Sequence, residues 1–229
     1  MARTLEPVIV LFDLDGTLSD PLPGIARSIN DALSHFGYPE RDPSDLAVYI
    51  GPPLDETFRS LTGVRSAADI AALVARYRER YAAIGYSENV LYPGITEALE
   101  VLTGAGITLG LCTSKRADFA EKILGMFAIR SHFRFVSGGD IGIDKAQQIA
   151  TLAAEGLVDS TTLMVGDRAV DLIAAHRNGL QAAGVLWGYG SRAELAAEHP
   201  SHLFSSPADL RTLADAKWRS ESGRDPSRE

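Results

Sequence analysis

The sequence predicts an α/β fold, an open parallel sheet interrupted by an inserted block of helices. Three observations carry that expectation. Short apolar runs recur along the chain and end in glycine, hydroxyl or acidic residues: Val8 to Phe12, Ile107 to Cys112, Phe133 to Ser137, Thr162 to Val165 and Ala182 to Leu186. Their length and their β-branched and aromatic content favour strands, and amphipathic stretches separate them. Residues 20–91 read as helical with no strand signal, a span too long for an ordinary crossover helix. The third observation is size, since 229 residues suit one large domain or a core with a smaller domain inserted.

The first strand ends in Asp13-Leu14-Asp15-Gly16-Thr17. Asp-Gly-Thr cannot continue a buried strand, so Asp13 and Asp15 fall where the strand spills into a loop. Open parallel sheets bind ligands at that position. Two carboxylates so close repel unless a cation lies between them or one is protonated. Hard divalent ions such as Mg²⁺ favour oxygen ligands of this kind. Asp-x-Asp-Gly taken alone is equally compatible with an acidic surface turn.

The helical block follows. Ile25, Ile29, Ala32, Leu33 and Phe36 recur at helical spacing, and Gly37 stops them. Further amphipathic stretches run from Glu56 to Leu61 and from Asp69 to Tyr81, after a rigid turn at Gly51-Pro52-Pro53-Leu54. A block inserted directly after the first strand would form a lid over the aspartates. Arginines such as Arg27, Arg59 and Arg76 would there meet an anionic substrate or simply face water.

Tyr92-Pro93-Gly94 marks the return to the sheet, with a helix from Ile95 to Thr103. The second strand empties into Thr113-Ser114-Lys115 ahead of a helix from Ala117 to Met126. Hydroxyls and N–H groups at a helix start suit an anion, although Thr113-Ser114 capping the next helix is an equal alternative. Lys145 opens the following helix, where it opposes the macrodipole and is better placed to meet an anion than to stabilise the helix. The fourth strand ends in Gly166-Asp167-Arg168-Ala169-Val170-Asp171, and Asp167 and Asp171 stack on one face of a helix begun there. Trp187-Gly188-Tyr189-Gly190 reads as a packing turn. Residues 216–229 offer almost nothing to bury and read as a disordered tail.

Composition narrows the function. Apolar content of 45% and charged content of 23% are ordinary for a soluble protein, and the net charge of −8 disfavours nucleic acid and membrane surfaces as partners. The single cysteine, Cys112, allows no intrachain disulfide, which fits a reducing, cytoplasmic setting. Residues 1–7 lack the hydrophobic core of a signal peptide, and no run is long enough to span a bilayer.

In order, Asp13-x-Asp15-Gly-Thr, Thr113 after a strand, Lys145, and Gly166-Asp167-x-x-x-Asp171 resemble the four motifs of the haloacid dehalogenase superfamily. Gly51-Pro52-Pro53-Leu54, Tyr92-Pro93-Gly94 and Trp187-Gly188-Tyr189-Gly190 resemble its phosphoglycolate phosphatase and 5′-nucleotidase branch. Ala146 stands where the family often has proline after the lysine. The resemblance implies a Rossmann-like core at residues 1–19 and 92–215 with a helical cap at 20–91. It implies a Mg²⁺-dependent phosphatase acting on small phosphomonoesters, phosphoglycolate or nucleotide-like, as a monomer or homodimer. Asp13 would be the nucleophile that forms an aspartyl-phosphate, and Asp15 the general acid and base. Thr113, Ser114 and Lys145 would bind phosphate. Mg²⁺ would be held by Asp13, the Asp15 carbonyl and Asp167, with Asp171 in support. Asp15 argues against a dehalogenase, and the absence of a lysine between residues 20 and 91 argues against a phosphonate hydrolase. A phosphomutase, an atypical protein kinase and a non-catalytic binding module remain as alternatives.

Overall fold

The structure, a computed structural model, describes residues 9–51, 53–139 and 143–215. The tail expected after residue 215, Pro52 of the Gly51-Pro52-Pro53-Leu54 turn, and residues 1–8, which include the expected strand start at Val8, lie outside the described residues. The chain divides into two compact units, one formed up to Leu18 and again from Leu91, the other formed by Ser19–Val90.

The first unit is built on a parallel sheet. In chain order its elements are β1 (Ile9–Phe12), then, after the second unit, α4 (Ile95–Gly104), β4 (Thr108–Arg116) and α5 (Ala117–Met126). There follow β5 (Phe133–Gly139), α6 (Lys145–Ala154), β6 (Leu163–Gly166), α7 (Ala169–Arg177), β7 (Gln181–Val185), α8 (Arg192–Ala197) and β8 (His202–Phe204). The six strands run in the order β5-β4-β1-β6-β7-β8, and every neighbouring pair is parallel. This is the open α/β architecture with helical crossovers that the apolar runs predict. β1 lies between β4 and β6, so the chain winds first to one side of β1 and then to the other. The crevice at the carboxyl end of such a reversal is where open sheets bind ligands. Val10, Leu11 and Phe12 have no exposed surface, because strands flank them on both edges and side chains cover both faces. Leu11 packs in a core with Cys112, Ile149, Met164, Leu172 and Leu180.

Several elements differ from the sequence reading. β4 continues through Thr113, Ser114 and Lys115 to Arg116, which pairs with Gly139 after an irregularity in register. Arg116, not Thr113 or Ser114, therefore occupies the N-cap position of α5, and its side chain makes no capping hydrogen bond. β8 and α8 have no counterpart in the sequence reading. β8 is a three-residue edge strand, too short to display alternation. α8 carries a readable start signal, Ser191 followed by Glu194, and the Ser191 hydroxyl accepts the Glu194 N–H at 3.1 Å.

The second unit opens with β2 (Ser19–Asp20), contains α1 (Leu22–His35), α2 (Leu54–Thr62) and α3 (Ala67–Ala83), and leaves through β3 (Val90–Leu91). β2 and β3 pair with each other, two-residue strands with no signal of their own. α3 packs against α1 and α2, burying Ile29, Leu33, Phe58, Ile70 and Leu73. A 3-10 helix at Pro43–Tyr49 starts behind the Asp42 side chain, which accepts the Ser44 N–H at 2.8 Å. The arginines singled out in the sequence are each matched by acids within this unit. Arg27 meets Glu88 at 3.0 Å, Arg59 meets Asp55 at 2.5 Å, and Arg76 grips both oxygens of Asp31 at 2.7 and 3.0 Å.

Candidate active site

The site assembles at the carboxyl ends of β1, β4 and β6. The Asp13 N–H donates to the Val165 carbonyl at 3.0 Å, so β1 pairs with β6 up to the residue that carries the first carboxylate. The chain then turns sharply, with the Leu18 N–H bonded back to the Leu14 carbonyl at 2.9 Å. Gly16 takes φ +83° in this turn, and a Cβ there would lie 2.2 Å from Asp167 Oδ2. Glycine is thus required twice, for the backbone conformation and for room.

Lys145 lies at the first position of α6 behind a capping box, in which Asp144 accepts the Gln147 N–H at 2.7 Å and the Gln147 side chain accepts the Asp144 N–H at 2.9 Å. The lysine is only 3% exposed. Its ammonium sits 3.0 Å from Asp13 Oδ1 and also bonds Asp171 Oδ1. Burial by itself would lower its pKa, but the carboxylates of Asp13 and Asp171 more than offset that and hold it above the ordinary lysine value. It is therefore a fixed positive charge inside the acidic cluster, where removal of either partner would strand a buried charge.

Asp167 and Asp171 follow β6. Asp171 Oδ2 accepts the Arg168 N–H at 3.1 Å, so both of its oxygens are engaged. Asp167 Oδ2 accepts the Tyr189 N–H at 2.8 Å, and the Thr17 hydroxyl lies 3.4 Å from Oδ1. Desolvation, with the nearby charges of Asp171 and Asp13, pushes the Asp167 carboxyl up to about 8. One oxygen from each of Asp13, Asp167 and Asp171 lies within 4.8 Å of the others. Three buried acidic groups at this separation are costly without a cation. Asp13 Oδ1, close to the lysine, still makes no aligned hydrogen bond. A hard oxygen-seeking divalent ion fits this donor set.

Asp15 stands beside the cluster. Its Oδ2 pairs with the Lys115 ammonium at 2.8 Å, while its Oδ1 is buried without a hydrogen-bond partner. Burial pushes Asp15 above the ordinary carboxylate range, against the pull of Lys115. Thr113 lies two residues beyond Leu111, the partner of Phe12, and is therefore beside the loop that bears Asp13. It is buried, its carbonyl accepts from Gln148 Nε2 at 3.2 Å and its hydroxyl accepts the Lys115 N–H at 3.3 Å. Ser114, by contrast, is exposed. Cys112, next to Thr113, is buried, and that burial pushes its thiol up to about 12.

Two groups of residues at the site escaped the sequence reading. Lys115 was an unremarked charge after the hydroxyl pair. The turn at Trp187-Gly188-Tyr189-Gly190, read as packing, contributes polar contacts: the Tyr189 N–H to Asp167, and Trp187 Nε1 to the Thr17 carbonyl at 3.0 Å. Closely spaced glycines after a strand signal close backbone approach, and a Cβ at Gly188 would lie 2.3 Å from the Asp167 Cβ and 2.4 Å from the Gly16 carbonyl oxygen.

Comparison with known proteins agrees with this geometry. The sequence profile of the haloacid dehalogenase-like hydrolases matches residues 10–185, which include every residue of the acidic cluster. A 5′-nucleotidase of Pseudomonas aeruginosa is 42% identical over 211 residues, covering 90% of this chain and 95% of its own. A phosphoglycolate phosphatase of Yersinia pseudotuberculosis is 32% identical over 209 residues, covering 88% and 90%. The solved structure of protein tyrosine kinase A from Mycobacterium tuberculosis superposes with a TM-score of 0.76 at 33% identity, covering 92% of this chain and 99% of that one. The acidic cluster and buried lysine lie at the carboxyl ends of strands flanking the sheet reversal, and with the match over residues 10–185 the chain belongs to the haloacid dehalogenase-like hydrolases.

Proposed function

We propose that this phosphoric monoester hydrolase cleaves small phosphomonoesters, phosphoglycolate or nucleotide-like, through a phosphoryl group carried on Asp13 and with Mg²⁺ as its cofactor. The observation that supports it best is the arrangement of Lys145 between Asp13 and Asp171, with Asp167 completing the acidic cluster. Asp13, the backbone carbonyl of Asp15 and Asp167 would hold the ion, and Asp171 would orient the cluster through Lys145 and the Arg168 N–H. When bound, the ion supplies charge neutralisation for a phosphoryl oxygen and for the carboxylates.

The chain's own groups divide the rest. A carboxylate is a weak nucleophile, so Asp13 depends on being held in line with phosphorus, and its backbone bond to Val165 fixes the strand end that carries it. Lys145 opposes the negative charge that the phosphate brings to a buried acidic site. Thr113, buried beside the nucleophile loop, and the Ser114 N–H would bind phosphoryl oxygens. Asp15 would give a proton to the departing alcohol and later take one from the attacking water.

A panel of phosphorylated metabolites, assayed for released phosphate with Mg²⁺ and after chelation, tests this reading. Hydrolysis should require the ion, and Asp13→Asn should remove turnover while the protein still unfolds cooperatively, at a lower temperature because Lys145 loses one of its two buried partners. Activity that survives complete chelation, or an Asp13→Asn protein with near-normal turnover, would overturn it. The likeness to a protein tyrosine kinase supports a second reading, in which a hydroxyl replaces water as acceptor. The same panel separates the two, because a transferase leaves the phosphate on an acceptor and does not release it.

A further inference from the structure

Gln148 is a buried polar side chain that the chemistry described so far leaves unused. It is 5% exposed and lies on α6 three residues after Lys145, so the two side chains leave the helix on one face. Lys145 reaches Asp13 and Asp171, while Gln148 Nε2 donates to the Thr113 carbonyl at 3.2 Å. The neighbours fix the orientation of the amide. A carbonyl only accepts, so the nitrogen must face Thr113, and the amide oxygen is left towards the Cys112 thiol at 3.9 Å. One helix face thus holds a contact to Asp13, just past β1, and another to Thr113, on the neighbouring strand.

What Gln148 grips is a bulge. β4 keeps its register with β5 as far as Cys112 opposite Ser137, and pairing resumes at Arg116 opposite Gly139. Thr113, Ser114 and Lys115 therefore stand against Gly138 alone, and the register with β1 has already ended at Leu111. A bulge re-aims side chains and leaves backbone groups without ladder partners, and those that are buried must find a partner elsewhere. For the Thr113 carbonyl that partner is the Gln148 amide, supplied from the helix layer. The Thr113 side chain is buried as well. Its hydroxyl oxygen accepts the Lys115 N–H at 3.3 Å, and no described residue accepts the hydroxyl proton. That proton is free for an oxygen of a bound group.

We propose that Gln148 is a positioning residue for phosphate recognition: by tying the Thr113 carbonyl to α6, it holds the Thr113 hydroxyl and the Lys145 ammonium at a fixed separation for one phosphoryl group. The two groups come from different elements, and a site that binds so small a target must hold its members to within about 0.5 Å. The Gln148 bond is a direct link between the helix that begins at Lys145 and the residue that bears the hydroxyl. A bulged segment is poorly restrained by its own ladder, so without the amide Thr113 can shift relative to the lysine. The phosphoryl group is present in substrate, transition state and released phosphate alike. Its weakened recognition should therefore appear in KM and in phosphate affinity, and hardly in kcat.

This inference rests on the reading of Thr113 and Lys145 as phosphate-binding groups, and the experiment separates the two. Gln148→Met, Gln148→Asn, Thr113→Val and the Thr113→Val, Gln148→Met double variant are compared in Mg²⁺ on two phosphomonoesters with unlike leaving groups. Inorganic phosphate is titrated alongside, as product inhibitor and by calorimetry. Methionine keeps the length of the side chain without its donor, and asparagine keeps the amide one methylene short. Either change at Gln148 should weaken phosphate binding by about 2- to 10-fold, the worth of one neutral hydrogen bond. Both KM values should rise by that same factor, with kcat moving by less than about threefold. Thr113→Val should weaken phosphate at least as much, and adding Gln148→Met to it should cost little more. If Thr113→Val leaves phosphate affinity unchanged, the phosphate-binding reading of Thr113 falls and this inference with it. If Thr113→Val weakens phosphate while the Gln148 variants lower only the melting temperature, Gln148 serves the fold alone and the positioning role is overturned. A full further loss in the double variant overturns it too, because Gln148 then acts by a route that bypasses Thr113. Should Gln148→Met not fold, judged by its melting transition, Gln148→Asn and Gln148→Leu decide the matter by the same phosphate affinity.

Discussion

Asp167 is held by groups that belong to two different loops. The Tyr189 N–H fixes Oδ2 from the turn after β7, and Thr17 approaches Oδ1 from the turn after β1, while Trp187 Nε1 ties those two turns together at the Thr17 carbonyl. A carboxylate oriented this way has little freedom, and if Asp167 holds the proposed ion, loss of such outer contacts should cost about 10- to 100-fold in metal affinity. Gly188 is the point at which this can be tested without removing any polar atom. A Cβ there would lie 2.3 Å from the Asp167 Cβ, so Gly188→Ala must displace either the turn or the carboxylate. The Mg²⁺ concentration for half-maximal activity should rise by about tenfold or more, and calorimetric binding of Mn²⁺ should weaken in parallel. An unchanged metal titration would mean that the turn only packs, as its aromatic content suggests when the sequence is read alone. Backbone N–H donors explain why the sequence is misleading here: every residue but proline has one, and its direction is set by the fold. The carboxylates and Lys145 were legible because their charge is written in the side chain and their strand-end positions in the apolar runs before them. The pairing of Lys115 with Asp15 was not, because it depends on β4 continuing past the residues where its apolar run stops.

At the scale of elements, the second unit shows how helices with modest individual patterns are joined. Glu88, on the turn that follows α3, accepts from Arg80 of α3 at 2.8 and 3.1 Å and from Arg27 of α1 at 3.0 Å. Arg80 also reaches the Ser28 hydroxyl on α1 at 3.1 Å. The bonds from Arg80, and with them Arg27, hold the Glu88 carboxyl below its ordinary value despite partial burial. A depressed folded-state pKa means that the unfolded chain takes up this proton first as pH falls. The stabilisation is therefore complete above the unfolded value near 4.5 and is lost as pH drops through the folded value. Glu88→Gln should cost about 1–3 kcal/mol at neutral pH, chiefly through its bonds to Arg80, a pair mostly shielded from water, while the exposed Arg27 adds little. The difference in melting temperature between the variant and the parent should shrink as the buffer is taken from pH 6 towards pH 3. A constant difference across that range would remove Glu88 from the linkage. The helices themselves were legible from spacing, whereas this clamp was not. Arg27 and Arg76 look like candidates for substrate contact until their acidic partners, distant in sequence, are brought beside them.

For the molecule as a whole, the reversal of strand order at β1 links stability to the candidate site, because the strand that leads into Asp13 is enclosed by neighbours on both edges. The parallel sheet was readable from the succession of apolar runs, but the order of its strands was not, since each run is equally compatible with either side of β1. Fine packing within the sheet is hidden for a similar reason. Gly110 is the third residue of β4 and looks like a weakness in a strand, yet it is the space into which its neighbours fit. A Cβ there would lie 2.4 Å from the Phe135 ring and 2.8 Å from Leu11 Cδ2. Leu11, with no exposed surface, pairs with Gly110 on one side and Met164 on the other. Leu11→Ala should destabilise the protein by about 2–5 kcal/mol, through lost burial and the cavity left behind. Gly110→Ala should also destabilise, because the added methyl overpacks the same space. The two changes share a boundary, so they should not add. Removing the leucine clears one of the two obstructions that the new methyl meets, and the methyl fills part of the cavity, leaving the Phe135 ring to shift. The double variant should be less destabilised than the sum of the single variants by about 0.5–1 kcal/mol, measured by denaturant unfolding with the slopes checked for constancy. Strict additivity would show that the sheet relaxes independently at the two positions, and that Gly110 is not there to accommodate Leu11.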